Sequence, residues 1–205
     1  MQKKELEILL SKLRGFDHPK LGLEQYETSS SVAADMLWNA FNNGDIRGKV
    51  IADLGCGAGI LGFGAALLGA RKVFFVDIDD NALEIARKNK VFLEKVTGGK
   101  ILCQFVHMPI GKFTKKVDVV LENPPFGTKN IHADKVFLEK AFVLAPVVYS
   151  FHKYSTREFV RKFAHEQAFH LVAVYRYRFP IRAQFSFHTS RLQYIDVACW
   201  MLQKD

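Results

Sequence analysis

Apolar positions recur along this chain in two alternating rhythms. Leu6, Leu9, Leu10 and Leu13 fall at helical spacing and predict a helix over 3–13; Val32, Met36, Leu37, Ala40 and Phe41 predict a second over 31–41. Short apolar runs then predict strands at 50–54, 72–77, 100–106, 117–122 and 147–151, with helical stretches at 60–68, 81–95 and 133–144 between most of them. A helix over 156–167 opens on Ser155-Thr-Arg-Glu158, the pattern of a capping box. Two β-branched and aromatic runs, 169–179 and 193–202, close the chain as strands. Repeated strand–helix units predict an α/β fold with a mostly parallel, doubly wound sheet and helices on both faces. The last two strands have no helix between them, so they should pair as an antiparallel hairpin at one edge.

Length narrows this to one domain, since 205 residues supply one full core and not two. No apolar run reaches membrane-spanning length and no charged-then-apolar leader opens the chain, so a soluble, cytoplasmic protein is expected. Cys56, Cys103 and Cys199 are scattered, with no metal-ligand spacing, so reduced thiols and no metal are expected. Net charge is +8 and uneven: residues 151–205 carry 9 Lys+Arg against 4 Asp+Glu. A basic C-terminal third suits an anionic partner such as nucleic acid, or simply a basic, solvated surface.

Two motifs carry chemistry. Asn123-Pro-Pro-Phe126 follows an apolar strand that two prolines must end, because each lacks an N–H and fixes φ. The Asn123 side-chain oxygen and Pro124 carbonyl would then be held at the carboxyl end of the sheet, where α/β folds bind ligands. Beside an aromatic ring, two acceptors suit a planar group bearing an NH2. Upstream, Asp53-Leu54-Gly55-Cys56-Gly57-Ala58-Gly59 lies between a strand and a helix, so small residues bring backbone close to a ligand. Asp77, 22 residues after Gly55, ends the next strand, where an acid accepts from both ribose hydroxyls. These residues specify an adenosine-containing cofactor but no reaction. Asp79 and Asp80 rival Asp77, although Asp80 reads better as a helix N-terminal cap.

Together the glycine loop, Asp77 and the proline turn resemble the class I S-adenosylmethionine-dependent methyltransferases that modify amino groups. Leu23-Glu-Gln-Tyr-Glu-Thr28, Asn123-Pro-Pro-Phe-Gly-Thr-Lys-Asn130 and Ser150-Phe-His-Lys-Tyr-Ser-Thr-Arg-Glu158 narrow the likeness. They resemble the archaeal and eukaryotic enzymes, of the methyltransferase-like protein five type, that methylate one adenosine of small-subunit ribosomal RNA at N6. The resemblance implies a Rossmann-like, seven-stranded, mostly parallel sheet. It implies S-adenosylmethionine as donor and S-adenosylhomocysteine as product, with Asp53 beneath the methionine amine and Gly55, Gly57, Ala58 and Ile60 lining the loop. Asp77 would hold the ribose, and Gln25 and Thr28 would close over the cofactor, with Tyr26 either joining them or packing in the core. Residues 1–45 would form that cover, 46–150 the catalytic core and 151–205 an RNA-facing part.

Where the family usually places an acid to accept from the cofactor's adenine amine, this chain has Val106-His107-Met108. A neutral His107 can accept there through one ring nitrogen; it reads equally as a solvent-facing residue. Asn123, Pro124, Pro125 and Phe126 are the implied catalytic residues, acting on a single-stranded or flipped adenosine. Lys129, Lys153, Arg157, Arg161, Lys162, Arg176, Arg178 and Arg182 are candidates for the RNA backbone. On Arg176-Tyr177-Arg178-Phe179, alternation alone could send Arg outward and the rings inward. Eukaryotic members work with a small zinc-containing activator protein that adds a strand to the sheet; the apolar run 72–75 is the expected edge. Competing readings are methylation of guanine N2 or a glutamine amide, a catalytically weak RNA-binding assembly factor, and a nicotinamide oxidoreductase, for which no second-substrate site is visible.

Overall fold

The computed structural model describes residues 1–16, 28–125, 133–181 and 193–205. Gln25, Tyr26, Phe126, Lys129 and Arg182 lie outside them. Two helices, α1 (Lys3–Leu10) and α2 (Ser30–Asn42), lead into alternating units: β1 (Val50–Leu54), α3 (Ile60–Leu67), β2 (Lys72–Asp77), α4 (Asp80–Thr97) and β3 (Cys103–His107). Then follow β4 (Val119–Glu122), α5 (Ala133–Leu144), β5 (Val147–Lys153), α6 (Arg157–Glu166), β6 (Phe169–Ile181) and β7 (Gln193–Lys204). The seven strands form one sheet in the order β3-β2-β1-β4-β5-β7-β6. β1–β5 are parallel; β7 runs antiparallel to both β5 and β6, as the paired runs at the chain's end predict.

The inner strands are buried on both faces, which is why they read as continuous apolar runs. On one face Leu6, Leu10, Met36, Leu37, Phe63 and Leu83 of α1–α4 pack over Ile51, Phe75, Leu121 and Phe151. On the other, Leu138, Ala141, Val160 and Phe163 of α5 and α6 cover Ala52, Val120, Val148 and Ala198. β6 alternates: Tyr175, Tyr177 and Phe179 face the core while Arg176 and Arg178 are exposed, the arrangement that a half-covered strand favours. No helix among the described residues is long and apolar enough to cross a membrane.

Three local expectations change. The apolar run 72–75 is no edge: β2 pairs with β1 on one side and β3 on the other, and Val73, Phe74 and Phe75 are buried. The open edges among the described residues are β3 and β6. No capping box forms at 155–158, because Tyr154–Thr156 is a 3-10 turn whose Thr156 hydroxyl donates to the Lys153 carbonyl at 2.8 Å. And the cap of α4 is Asp79, not Asp80: its carboxylate accepts from the Asn81 N–H at 3.2 Å.

The chain reverses its order across the sheet between β1 and β4, which are adjacent and in register, Leu54 opposite Glu122. A doubly wound sheet opens its ligand crevice at such a point. The glycine loop and Asn123 leave the sheet there side by side.

Candidate active site

The loop after β1 is shaped by glycines with positive φ: 64° at Gly55, 54° at Gly57 and 89° at Gly59. The Gly55 and Cys56 N–H groups both donate to the Val76 carbonyl, at 2.8 and 3.1 Å, bending the chain back over β2. Asp77 fixes the bend from the other side. Its carboxylate accepts from Gly57 N–H and from Asp79 N–H, each at 2.8 Å. Burial raises the Asp77 pKa, and those two N–H groups oppose the rise.

Asp53, 2% exposed, accepts from the Gly62 N–H at 2.8 Å, one of the unpaired donors in the first turn of α3. Burial pushes its carboxyl up to about 7, and that N–H offsets only part of the rise. Gly62 permits this approach. A Cβ there would lie 2.4 Å from the Phe75 ring and 3.0 Å from the Asp53 Oδ2. Neither contact is announced by the glycine loop motif, and Gly62 escapes a reading based on it. The signal was a pair of glycines, Gly62 and Gly64, inside a helix, where each costs about 1 kcal/mol against Ala.

At the end of β4, Asn123 is held through its amide nitrogen, which donates to the Thr28 hydroxyl at 2.9 Å. Its amide oxygen is buried and has no partner among the described residues. An amide oxygen is an acceptor, and a buried acceptor without a donor is costly. The site is therefore complementary to a group that brings an N–H. Pro124 is buried next to it and Pro125 half-buried.

A second polar chain lies under this turn. Glu122 is fully buried, and the Ser150 hydroxyl donates to its Oε1 at 2.7 Å. The same hydroxyl lies 2.8 Å from the His152 Nε2, and the His152 Nδ1 is 3.5 Å from Asp134, long for a hydrogen bond. Burial pushes the Glu122 carboxyl up to about 8, while His152 helps to hold Asp134 below its usual range. Glu122 closes β4 and Asp134 lies in the first turn of α5, so these side chains run from one flank of the segment 123–132 towards the other, the last step an approach and not a hydrogen bond. Motif reading missed this set. Its traces were a carboxylate ending an apolar strand and Ser150 and His152 at the strand period of two.

His107 ends β3 opposite Asp77 and is exposed. It is not idle, however: its Nε2 lies 3.0 Å from the Ile78 carbonyl, to which it donates, leaving Nδ1 as the acceptor of the neutral ring. The Met108 N–H donates to the Asp77 carbonyl at 3.0 Å. Of the basic candidates, Arg157, Arg161 and Arg176 gather with Tyr154 around one recess beyond β5, whereas Arg178 stands over Tyr194, 5.2 Å from its ring centre. Lys153 ends β5, half-buried.

A buried acid beside the first turn of α3, a second acid at the end of β2, and glycines that admit no Cβ fit an adenosine-containing cofactor with a cationic amine. Fold and site together define a class I, S-adenosylmethionine-dependent methyltransferase, and residues 28–146 match the family described as methyltransferase small domain. The chain is 40% identical to the rRNA N(6)-adenosine-methyltransferase METTL5 of Danio rerio, over 96% of each chain. The Drosophila melanogaster Mettl5 is 37% identical over 98% of this chain and 95% of its own. The crystal structure of PH1948 from Pyrococcus horikoshii superposes with a TM-score of 0.87 at 42% identity, covering 100% of this chain and 98% of that one. The chain belongs to the family of these METTL5 methyltransferases.

Proposed function

We propose that this protein transfers a methyl group from S-adenosylmethionine to the N6 amine of an adenosine in small-subunit ribosomal RNA. The observation that carries this reading is the buried Asn123 amide oxygen, without a partner among the described residues, beside the cofactor loop. When bound, the cofactor supplies an electrophilic sulfonium methyl. Asp53 would meet its amine, Asp77 its ribose, and Gly55, Gly57, Ala58 and Ile60 the body of the molecule. His107 and Met108 would lie by its adenine, with Gln25 and Thr28 above. The Asn123 amide oxygen and the Pro124 carbonyl accept both N–H bonds of the target amine, favouring a pyramidal nitrogen whose lone pair is aimed at the methyl. Pro125 stiffens the turn and Phe126 stacks on the base. The N–C bond forms as the S–C bond breaks. The amine proton, acidic once the methyl is added, leaves to water, so no separate general base is required.

RNA would run over residues 151–205, with Lys129, Lys153, Arg157, Arg161, Arg176 and Arg178 as its candidate contacts, on one domain spanning 1–205. A strand-adding zinc-containing activator would dock on an open edge, β3 or β6. Free thiols at Cys56, Cys103 and Cys199 suit a cytoplasmic setting. Tritiated methyl transfer to ribosomal RNA, followed by nucleoside analysis, tests the assignment. N6-methyladenosine is the expected product; label on guanosine N2, on a protein amide or on nothing overturns it.

A further inference from the structure

Beyond β5 the sheet carries a second concavity, away from the glycine loop. Its volume is about 260 Å3, below the roughly 300–1,000 Å3 of sites that enclose a small molecule. Leu171 and Val174 of β6 and Trp200 of β7 line it with apolar surface. Guanidinium groups stand around this floor from two elements, Arg157 and Arg161 on α6 and Arg176 on β6. Among the described residues a single carboxylate, Glu158, shares the recess, and it lies 3.6 Å from Arg157. Arg161 and Arg176 have no acidic partner among the described residues. Arg176 instead lies over the Tyr154 ring, 4.0 Å from its centre, with Arg157 at 5.4 Å from the same ring. Stacking holds these cations in place without neutralising them. Trp200, 3% exposed, keeps an indole N–H with no acceptor among the described residues.

Register fixes where this recess lies relative to the proline turn. Arg176 pairs with Ala198, and Ala198 with His152, two residues beyond the Ser150 that faces Glu122. Arg176 is therefore level with Pro124, at the same end of the sheet. It is three strands away, about 14 Å at ~4.8 Å per strand. A single strand of RNA covers that in about four stacked nucleotides at ~3.4 Å each, and in fewer if extended.

We infer that the recess formed by Tyr154, Arg157, Arg161, Arg176 and Trp200 is an RNA subsite that takes one nucleotide flanking the target adenosine. The phosphodiester sits on the three guanidinium groups and the sugar–base face lies against Val174 and the floor. Planar guanidinium groups bind phosphate through paired N–H donors, while an apolar floor accepts any base without reading its edge. The subsite thus sets register and grip, and the proline turn sets the chemistry. This inference rests on the RNA-methyltransferase reading proposed above.

Binding of fluorescein-labelled single-stranded RNAs to the full chain tests it, with oligonucleotides of three and nine residues centred on adenosine, across a salt series. For the wild-type chain the nine-residue RNA should bind at least ~10-fold more tightly than the three-residue one. In the triple variant Arg157→Gln, Arg161→Gln, Arg176→Gln that length advantage should vanish, and the salt slope should fall by about 0.7 per lost phosphate contact. Calorimetric titration of S-adenosylhomocysteine into the variant reports whether the fold persists, and the single variant Arg176→Gln, on an exposed strand face, repeats the test if the triple one does not fold. Variants that keep the length advantage and the slope, from a wild-type chain that methylates ribosomal RNA, overturn the subsite alone. A wild-type chain that neither binds nor methylates RNA overturns both readings. Displacement of the nine-residue RNA by polyglutamate at equal concentration of charge also overturns the subsite, because the recess would then be a general anion surface.

Discussion

Thr28 and Asn123 are separated by 95 positions in the sequence, yet the Asn123 amide nitrogen donates to the Thr28 hydroxyl at 2.9 Å. That bond decides which end of the amide remains available. With the nitrogen engaged, the oxygen is the end left without a partner among the described residues. Thr28→Val should let the amide turn and should lower kcat by about 10-fold, the equivalent of one ordinary hydrogen bond. Asn123→Ala should cost far more, about 10²–10³ in kcat, as loss of a donor or acceptor aimed at the reacting group does elsewhere. Single-turnover kinetics with ribosomal RNA would separate the two; a Thr28→Val chain that turns over at the wild-type rate would show that this bond does not set the amide.

Gly62→Ala should destabilise the chain by about 1–3 kcal/mol, because the new methyl meets the fully buried Phe75 ring and crowds the Asp53 carboxylate. Cofactor affinity should fall with it. Urea denaturation and a cofactor titration on the same preparation check both; a stability loss with unchanged affinity would detach Asp53 from the cofactor site.

Glu122 keeps its proton in the folded chain up to about 8, whereas its ordinary value is 4.5. Between those values the folded chain binds more protons than the unfolded one, so stability falls as pH rises through that window. The full effect is at most about 5 kcal/mol at ~1.4 kcal/mol per unit. Asp53, raised to about 7 by burial, adds a slope of the same sign. Glu122→Gln should flatten the decline between pH 5 and 8 while leaving the Asp53 part. Denaturant midpoints measured at several pH values test this, and parallel curves for variant and wild type would contradict it.

Proton release on cofactor binding gives an independent reading of Asp53. At pH 6 its carboxyl is largely protonated; an ammonium placed above it draws it back to the anion, so binding should release close to one proton. At pH 8.5 none should be released. Calorimetry in buffers of different ionisation enthalpy measures the number, and Asp53→Asn should abolish it and weaken binding. Heats independent of buffer at pH 6 would place the amine elsewhere.

How far the sequence reaches depends on how local the cause is. Parallel strands buried on both faces advertise themselves as apolar runs, so β1, β2, β4 and β5 are legible, and two prolines after Leu121-Glu122 mark where the sheet must stop. The run at 72–75 shows the limit. Its apolar character says that β2 is buried, but the neighbours come from crossovers that place β3 outside it. Caps fail for a related reason: the Thr156 hydroxyl had a nearer carbonyl to satisfy, and Asp79, not Asp80, held the extended backbone a cap requires. The Glu122–Ser150–His152–Asp134 chain joins three segments, and only their pairing in the sheet reveals it. The end of β4 before the two prolines was legible, whereas the bond that fixes the Asn123 amide was not.

β5 carries Ser150 and His152 beneath the proline turn and runs on into Tyr154 at the arginine recess. On the readings proposed above, catalytic turn and nucleotide grip would be two marks on one rigid rule, three strand widths apart. An enzyme built that way would select its adenosine partly by counting. An RNA with one nucleotide inserted between the gripped position and the target should shift methylation to the neighbouring base, or lose it, even when the local sequence around the adenosine is unchanged.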